Sequence, residues 1–377
     1  MLYKKFCNTD KEISILGFGC MRLPILNQDT SQINEVEAIT MIRHGINQGI
    51  NYIDTAYPYH GGMSEPFVGR ALQDGYREKV SLATKLPSWL IQTRDDMDNY
   101  LNEQLERLQT DHIDFYLVHA LDRTRWSHLK QLGIGQFLDS AITDGRIKYA
   151  GFSFHDNVDV FKEIVDSWHW TFCQIQYNYV DETFQAGRQG LDYAVNHGLG
   201  VIIMEPLRGG RLAEGIPTDV QAVWDQADVK RSPAEWALRF LWDDPSIGIV
   251  LSGMSNMEQV KENLCIASQG QALSLTEKEK ALIQTVKSLY TEKIKVNCTA
   301  CEYCMPCPAG VDIPTCFASF NNAYMFNNIT AAKMGYGFMG STEKASNCVN
   351  CGKCEEICPQ KIPIRKILKE VVDILEQ

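Results

Sequence analysis

Four polar residues stand at or just after short apolar runs. Asp54 closes INYID (50–54), Tyr59 follows five residues later in YPYH, Lys85 closes VSLATK (80–85), and His119 closes IDFYLVH (113–119). Together these residue types make a proton donor. A tyrosine alone, with a pKa of about 10, donates poorly near neutrality. A neighbouring ammonium favours the phenolate and is expected to lower that value. A carboxylate keeps the lysine charged and aimed, and a histidine beside the phenol orients a carbonyl oxygen by hydrogen bonding. Each residue taken singly has a plainer role: a turn or cap for Asp54, loop packing for Tyr59, a solvated strand end for Lys85, a satisfied interior histidine for His119. Four such coincidences at successive run ends are far less expected than one.

A second chemistry lies in the cysteines. Of 13, four (Cys7, Cys20, Cys173 and Cys265) precede residue 298 and nine fall in the last 80 residues. In a cytosolic chain so dense a cluster points to metal or redox chemistry and not to structural disulfides. Residues 348–359 read CVNCGKCEEICP, which is Cys-x2-Cys-x2-Cys-x3-Cys-Pro, the bacterial ferredoxin spacing for [4Fe–4S]. Residues 298–308 read CTACEYCMPCP: Cys298, Cys301 and Cys304, then Cys307-Pro after a spacer of two instead of three. Thiolates three apart wrap a cubane because a tight turn points successive sulfurs inward, whereas zinc more usually takes two Cys-x2-Cys pairs.

The elements that must position these groups follow from periodicity. Eight apolar runs recur: ISILGFG (13–19), INYID, VSLATK, IDFYLVH, IKYAGFS (147–153), FCQIQ (172–176), GVIIME (200–205) and IGIVLSG (247–253). Most are continuously apolar, as strands buried on both faces are. Helical stretches lie between them. IRHGINQG and LQDGYREK end in glycine or basic residues that suit a helix stop. DDMDNYLNEQLERLQ places apolar residues at 97, 101, 105 and 108, with Asp95 or Thr93 as cap. Eight strand-then-helix units predict an α/β fold, a (β/α)8 TIM barrel, whose chemistry sits at the strand C-termini. The alternative is a doubly wound open sheet, which would normally show a Gly-x-Gly-x-x-Gly turn. The nearest candidate, Gly17-Phe18-Gly19, lacks the third glycine and a following helix. Trp89, Met63 and Trp126 fall in expected loops and are candidates for lining a pocket.

The 377 residues are 45% hydrophobic and 22% charged, which excludes a wholly disordered chain. A net charge of −11 argues against nucleic acid as partner. No apolar run approaches the roughly 20 residues of a membrane span. The opening MLYKKFCNTDKEISILGFG has no long apolar core and no small-residue cleavage site, so a cytoplasmic protein is expected.

DTAYPYHGGMSEPFVGRAL (54–72), ATK (83–85), LVHA (117–120), GRIKYAGFS (145–153), QIQYN (174–178), MEPLRGGRLA (204–213) and SGMSNMEQVKEN (252–263) resemble, in order, the signatures of aldo-keto reductases. The resemblance implies a barrel over residues 1–285 that binds an extended nicotinamide dinucleotide, NADP or NAD. It implies a catalytic tetrad of Asp54, Tyr59, Lys85 and His119, with Tyr59 as general acid for a small carbonyl or alcohol substrate. Ser153 and Gln176 match the positions that hydrogen-bond the carboxamide. Met204 stands where many members stack a tyrosine, and a thioether can also pack on the ring. Pro206, Leu207 and Gly209 match the loop near the pyrophosphate. Ser255 and Asn256 match the last phosphate site, at a helix start that suits anions. Gln259 stands where members preferring the 2′-phosphorylated cofactor often carry a basic residue. Met21 and Asn263 complete the set.

Residues 286–377 resemble two-cluster ferredoxin domains, in which the cysteine before proline serves the other cluster. That implies Cys298, Cys301, Cys304 and Cys358 for one [4Fe–4S] cluster and Cys348, Cys351, Cys354 and Cys307 for the other, with Cys316 in reserve for Cys307. FASFNNAYMF and ITAAKMGYGF read as helices and favour a mainly α-helical iron–sulfur domain. TEKEKALIQTVKSLYTEK (276–293) reads as a linking helix with Thr276 and Glu279 in capping-box form, and IRKILKEVVDILEQ as a last amphipathic helix. Nicotinamides pass two electrons as hydride and clusters pass one at a time. A mediator such as a flavin would normally join them, and no flavin motif is read. The clusters are then structural or link to an outside electron-carrier protein. The competing reading is an electron-transfer or redox-sensing protein whose barrel is mainly a binding module.

Overall fold

The computed structural model describes every residue except 8, 299–302 and 359. Among the described residues there are ten strands: β1 Tyr3–Lys5, β2 Glu12–Ser14, β3 Leu16–Gly19, β4 Tyr52–Asp54, β5 Ser81–Leu86, β6 Ile113–Leu121, β7 Ile147–Phe154, β8 Phe172–Gln176, β9 Gly200–Met204 and β10 Ile247–Ser252. The last eight pair in parallel in chain order, and β10 returns to β3, closing the barrel. Each corresponds to one of the eight apolar runs. The register sets Asp54 beside Ala83, Lys85 beside Leu117, Ser153 beside Gln174 and Gln176 beside Met204.

The continuous apolarity of these strands has two destinations. One set of side chains, including Leu82, Tyr116, Val118, Phe152 and Val250, packs between the sheet and the surrounding helices. The other, Tyr52, Ala83, Phe115, Leu117, Phe172, Ile202 and Ile249, fills the barrel interior together with Phe6. Phe6 belongs to an antiparallel β1–β2 hairpin that the periodicity did not announce. Its ring lies edge-on to Phe115, with centroids 5.5 Å apart. A Cβ at Gly200 or Gly248 would fall 2.5 or 2.6 Å from that ring, so glycine at both strand starts makes room for the plug. The N-terminal end of the barrel is thereby closed, and the opposite end carries the polar residues.

The helix Arg94–Leu108 starts at Thr93, whose N–H donates to the Asp96 carboxylate at 2.7 Å. It buries Met97, Leu101 and Leu108 as the stripe predicts, but the fourth fully buried position is Gln104, one residue before Leu105. The helix Ser64–Ala71 ends before LQDGYREK, which forms turns and a short 3-10 segment. Trp126 is not a pocket residue: it lies in the helix Arg123–Gln131, 3% exposed, packed against Trp170.

Two compact units divide the chain: Met1–Gly209 with Ala234–Leu275, and Gly210–Pro233 with Thr276–Gln377. The helix Glu277–Glu292 therefore packs in the second unit, as does the segment 210–233, which differs from a single boundary at 285. Ile283, Val286 and Tyr290 of that helix are buried, and ion pairs join it to the segment 210–233: Lys278 with Asp228 at 2.7 Å, Lys293 with Asp219 at 2.9 Å, and Arg231 with Glu279. Thr276 and Glu279 cap that helix reciprocally. In the second unit the helices Ile313–Met325, Ile329–Gly337 and Ile364–Leu375 share one core of Phe317, Phe320, Tyr336, Leu368 and Val371. The last helix buries Ile364, Leu368, Val371 and Leu375, a spacing of four, three and four that lines one face.

Candidate active site

Three adjacent strand ends and one turn bring the four sequence-predicted residues together. Asp54 ends β4, Lys85 is the penultimate residue of β5, and His119 lies near the end of β6. Tyr59 opens a 3-10 turn that rises from the β4 loop. Lys85 Nζ has three acceptors for its three N–H bonds: Asp54 Oδ1 at 2.7 Å, the Thr55 carbonyl at 2.8 Å and the Tyr59 hydroxyl at 3.4 Å. Lys85 is completely buried and Asp54 nearly so, while Tyr59 keeps partial exposure. The Tyr59 and His119 rings lie 6.1 Å apart, nearly perpendicular, and Trp89, 37% exposed, stands 5.2 Å from His119 on its other side.

The electrostatics correct one expectation. Burial raises the Tyr59 phenol, and the Lys85 ammonium, which opposes the rise, does not reverse it. The resting phenol is therefore less acidic than free tyrosine, because removing water from a phenolate costs more than one ammonium at 3.4 Å returns. For Lys85, burial pulls downward, but Asp54 and Tyr59 together outweigh it and the ammonium persists. Burial pushes the Asp54 carboxyl up, against the pull of Lys85, and its Oδ2 has no hydrogen-bond partner. His119 is driven well below the ordinary histidine range by burial first and Lys85 second, so it is neutral, with a buried Nδ1 lacking any partner. Cys20 donates its N–H to the Asp54 carbonyl at 2.8 Å, and burial holds its thiol protonated.

Around this centre stand the residues expected at the cofactor. The Ser153 hydroxyl accepts the Ala120 N–H at 2.7 Å beside His119. Gln176 donates to Asp181 at 3.1 Å, and its neighbour across the ladder is Met204. Gln174 was not singled out by sequence, although QIQ alternation puts both glutamines on one face. Its Nε2 reaches the Met204 sulfur at 3.7 Å and its buried Oε1 has no partner, an open acceptor facing the same side. Pro206 is buried, Leu207 half-buried and Gly209 exposed with φ +67°. Asn256 caps the helix Met257–Ala267 by accepting the Gln259 N–H at 2.9 Å, and Gln259 in turn accepts the Ser255 N–H at 2.8 Å. Asn263, buried, donates to Ser252 at 2.9 Å, and Met21 is half exposed. Orphaned polar atoms and glycine-lined loops at these strand ends suit an extended polar ligand.

A buried polar network missed by periodicity lies behind Lys85. Glu65 accepts from Thr84 at 2.6 Å, from Gln104 at 2.6 Å and from Arg107 at 3.3 Å. Gln104 also donates to the Lys85 carbonyl at 3.0 Å and accepts from Tyr116 at 2.8 Å. The stripe read from sequence ran through Leu105, and the glutamine one residue before it takes the buried place.

In the second unit Cys358 is buried in the core, and Cys298, Cys304, Cys307, Cys348 and Cys354 pack against it. Cys351 is exposed, and Cys301 lies outside the described residues. Burial first and then Glu355 raise the Cys354 thiol, with smaller contributions from Cys348 and Cys307. Cys316 is fully buried against Tyr336 and the Glu343 carbonyl. Among the described residues no three of these thiols are brought close enough to hold a metal ion, while their residue type and their spacing along the chain suit iron–sulfur coordination. No helix among the described residues is long and apolar enough to cross a membrane.

Comparison with known proteins agrees with both units. The profile of the aldo/keto reductase family matches residues 15–287, and that of the 4Fe-4S dicluster domain matches residues 297–362. An oxidoreductase of Bacillus subtilis, YqkF, is 27% identical over 76% of this chain and 96% of its own length. L-galactose dehydrogenase of Arabidopsis thaliana is 25% identical over 75% and 94%. The solved aldo-keto reductase AKR11C1 from Bacillus halodurans, in its holo form, superposes with a TM-score of 0.63 at 26% identity, covering 76% of this chain and 96% of that one. An aldo-keto reductase from Klebsiella pneumoniae in complex with NADPH shares the fold, with a TM-score of 0.61 at 21% identity over the same shares. A closed eight-stranded barrel of this sequence, followed by a cysteine-rich helical unit, thus makes the chain an oxidoreductase of the aldo/keto reductase family with a 4Fe-4S dicluster ferredoxin domain at its C-terminal side.

Proposed function

We propose that the barrel reduces a small carbonyl compound, or oxidises the corresponding alcohol, with NADPH or NADH, and that Tyr59 is the general acid. The observation that carries this reading is the saturated Lys85 ammonium, with Asp54, the Thr55 carbonyl and the Tyr59 hydroxyl as its three acceptors. Because the Tyr59 oxygen accepts from Lys85, its own O–H is free to point at substrate. The bound dihydronicotinamide supplies hydride to the carbonyl carbon. Tyr59 gives its proton to the carbonyl oxygen as charge builds there, and Lys85 stabilises the phenolate left behind. His119, neutral because buried, orients the carbonyl oxygen as an uncharged hydrogen-bond partner. Ser153, Gln176, Met204, Pro206, Leu207, Gly209, Ser255, Asn256, Gln259, Asn263 and Met21 hold the dinucleotide.

In this reading two [4Fe–4S] clusters, held by Cys298, Cys301, Cys304 and Cys358 and by Cys348, Cys351, Cys354 and Cys307, are structural or link to an outside electron-carrier protein. A cytoplasmic protein accommodates both centres. The test is Tyr59→Phe, which keeps the ring and removes the proton. Carbonyl turnover is expected to fall by about 10²–10⁴-fold, and turnover like wild type would refute the acid role.

A second reading makes the chain an electron-transfer protein that uses the barrel for binding. The packing of Cys307, Cys348 and Cys354 against the core of the second unit, with Cys351 exposed, favours it. It expects rapid cluster reduction by a protein partner and no effect of Tyr59→Phe.

A further inference from the structure

The segments leaving β6 and β7 are tied to each other just beyond His119. The His155 N–H donates to the Leu121 carbonyl at 2.9 Å, and the Arg123 N–H donates to the Asp156 carboxylate at 2.8 Å. One tied segment carries Arg125 and the other His155. Trp89, on the segment after β5, joins Arg125 to the candidate active site: its ring centroid is 5.2 Å from that of His119 and 5.8 Å from the Arg125 guanidinium carbon. The charge of Arg125 is felt at both histidines, where it adds to the burial that lowers His119 and His155.

The hydrogen-bond donors of these two side chains are only partly spent. Arg125 Nη1 is turned to the chain: it donates to the Ala120 carbonyl at 2.7 Å and lies 3.4 Å from Asp122 Oδ2. Ala120 has a left-handed backbone, φ 51°, and its N–H is held by the Ser153 hydroxyl, so the guanidinium braces a strained turn. Arg125 Nε and Nη2 have no partner among the described residues, and the side chain is 37% exposed. Those two nitrogens form one planar edge, which receives both oxygens of a carboxylate in a fork. At His155, Gln185 Nε2 donates to Nδ1 at 3.3 Å. An amide nitrogen can only donate, so the neutral ring carries its proton on Nε2, a further donor without a partner among the described residues. Asp122 beside the guanidinium favours a singly charged acid over a phosphate dianion, since like charges repel across a site.

We propose that the substrate is a carbonyl compound that also carries a carboxylate, and that the open edge of Arg125, helped by His155 Nε2, receives that carboxylate while Trp89 lines the space toward Tyr59 and His119. Arg125 and His155 determine which carbonyl compound is accepted and take no part in the proton transfer. The inference rests on the proposed carbonyl reduction and adds to it the charge class of the substrate.

The experiment measures kcat/KM of the full chain, with NADPH, for 4-carboxybenzaldehyde and for its methyl ester, which has the same ring and aldehyde without the charge. The quantity read is the ratio of acid to ester. Wild type is expected to prefer the acid, and Arg125→Gln to lower the ratio by about tenfold or more, the worth of a hydrogen bond to a charged group. The change should fall mainly on KM. His155→Phe should lower the ratio by about threefold, the worth of a neutral hydrogen bond. Arg125→Lys, which can keep the contact with the Ala120 carbonyl but has no planar edge, should lie between wild type and Arg125→Gln, and it carries the test if the glutamine variant does not fold. A wild type without preference for the acid overturns the proposal, as does a ratio unchanged in the Arg125 variants; equal losses on both substrates would leave Arg125 as a brace for the Ala120 turn. Turnover of the ester by wild type, abolished in Tyr59→Phe, keeps the underlying reading intact in either case. A wild type that reduces neither aldehyde counts against the reading and this inference together.

Discussion

Replacing Lys85 by methionine isolates what the buried ammonium does. Methionine keeps the volume of the lysine stem but leaves Asp54, 3% exposed, without its 2.7 Å partner and with an Oδ2 that already has none. Removing one member of a buried ion pair typically costs about 3–5 kcal/mol. For a unit of this size each kcal/mol lowers Tm by about 2–4 °C, so Lys85→Met should melt about 6–20 °C below wild type near neutral pH. The loss has a pH signature. Without Lys85 nothing opposes the burial that already raises Asp54, so its folded pKa lies further above the unfolded value. A raised carboxyl contributes its stability below the unfolded pKa and loses it as pH climbs through the folded pKa. The deficit of Lys85→Met should therefore shrink toward pH 5 and grow toward pH 8. Adding Asp54→Asn removes the stranded charge and should restore most of the Tm at pH 8, while turnover stays lost in both variants because the phenolate of Tyr59 has no counter-charge. The assay is thermal melting by circular dichroism from pH 5 to 8, paired with carbonyl reduction. A Lys85→Met protein that melts with wild type at pH 8, or a double variant less stable than the single, would show that the pair does not carry the electrostatic load assigned to it.

Three further outcomes follow from particular contacts. Since burial holds the Tyr59 phenol above its ordinary value, carbonyl reduction should persist through neutral pH and fall only on the alkaline side, while alcohol oxidation rises there; a reduction rate that falls through pH 6–8 with the same tyrosine present contradicts this. Gly248→Ala puts a Cβ 2.6 Å from the Phe6 ring and should cost about 1–3 kcal/mol in denaturant unfolding, with Phe6→Leu in the same chain recovering part; an unchanged midpoint would mean the plug yields freely. For the cysteines, anaerobic preparation should give about eight irons per chain. Cys307→Ser should lose about four of these and Cys316→Ser none, and the reverse pattern would exchange their roles.

Sequence and structure agree where the pattern is one-dimensional. Strands β3 to β10 were readable because most are continuously apolar runs, and Asp54, Tyr59, Lys85 and His119 stood out because they fall at or just after the ends of such runs. Agreement ends where the third dimension decides. The β1–β2 hairpin has only three residues per strand, so no alternation could flag it, and Phe6 becomes a plug only because Gly200 and Gly248 meet it from distant parts of the chain. Trp126 read as a loop residue until the helix Arg123–Gln131 turned it into the core. Gln104 takes the buried place that the stripe gave to Leu105, because its partners, Glu65 and the Lys85 carbonyl, come from other elements. The segment 210–233 packs with residues 276–377 through ion pairs between residues up to 74 positions apart.

The direction of the Tyr59 shift bears most on mechanism. An ammonium beside a phenol suggests a phenol made acidic at rest, yet burial leads and the net shift is upward. The same exclusion of water that disfavours the phenolate also lowers the local dielectric through which Lys85 acts, and each charge-charge term grows as that dielectric falls. Before proton transfer the phenol is neutral and gains little from Lys85 across 3.4 Å. In the proposed reaction a full negative charge would face the buried Lys85 ammonium after transfer. Stabilisation concentrated in the charged state lowers the barrier without lowering the resting state by the same amount, which is the condition for a contact to raise the rate and not merely the affinity. Asp54 completes the arrangement by keeping Lys85 protonated before that charge appears. In the proposed reaction the lysine is thus a counter-ion waiting for the phenolate, and the geometry that matters is the one Gln104 helps fix at the Lys85 carbonyl, 3.0 Å away.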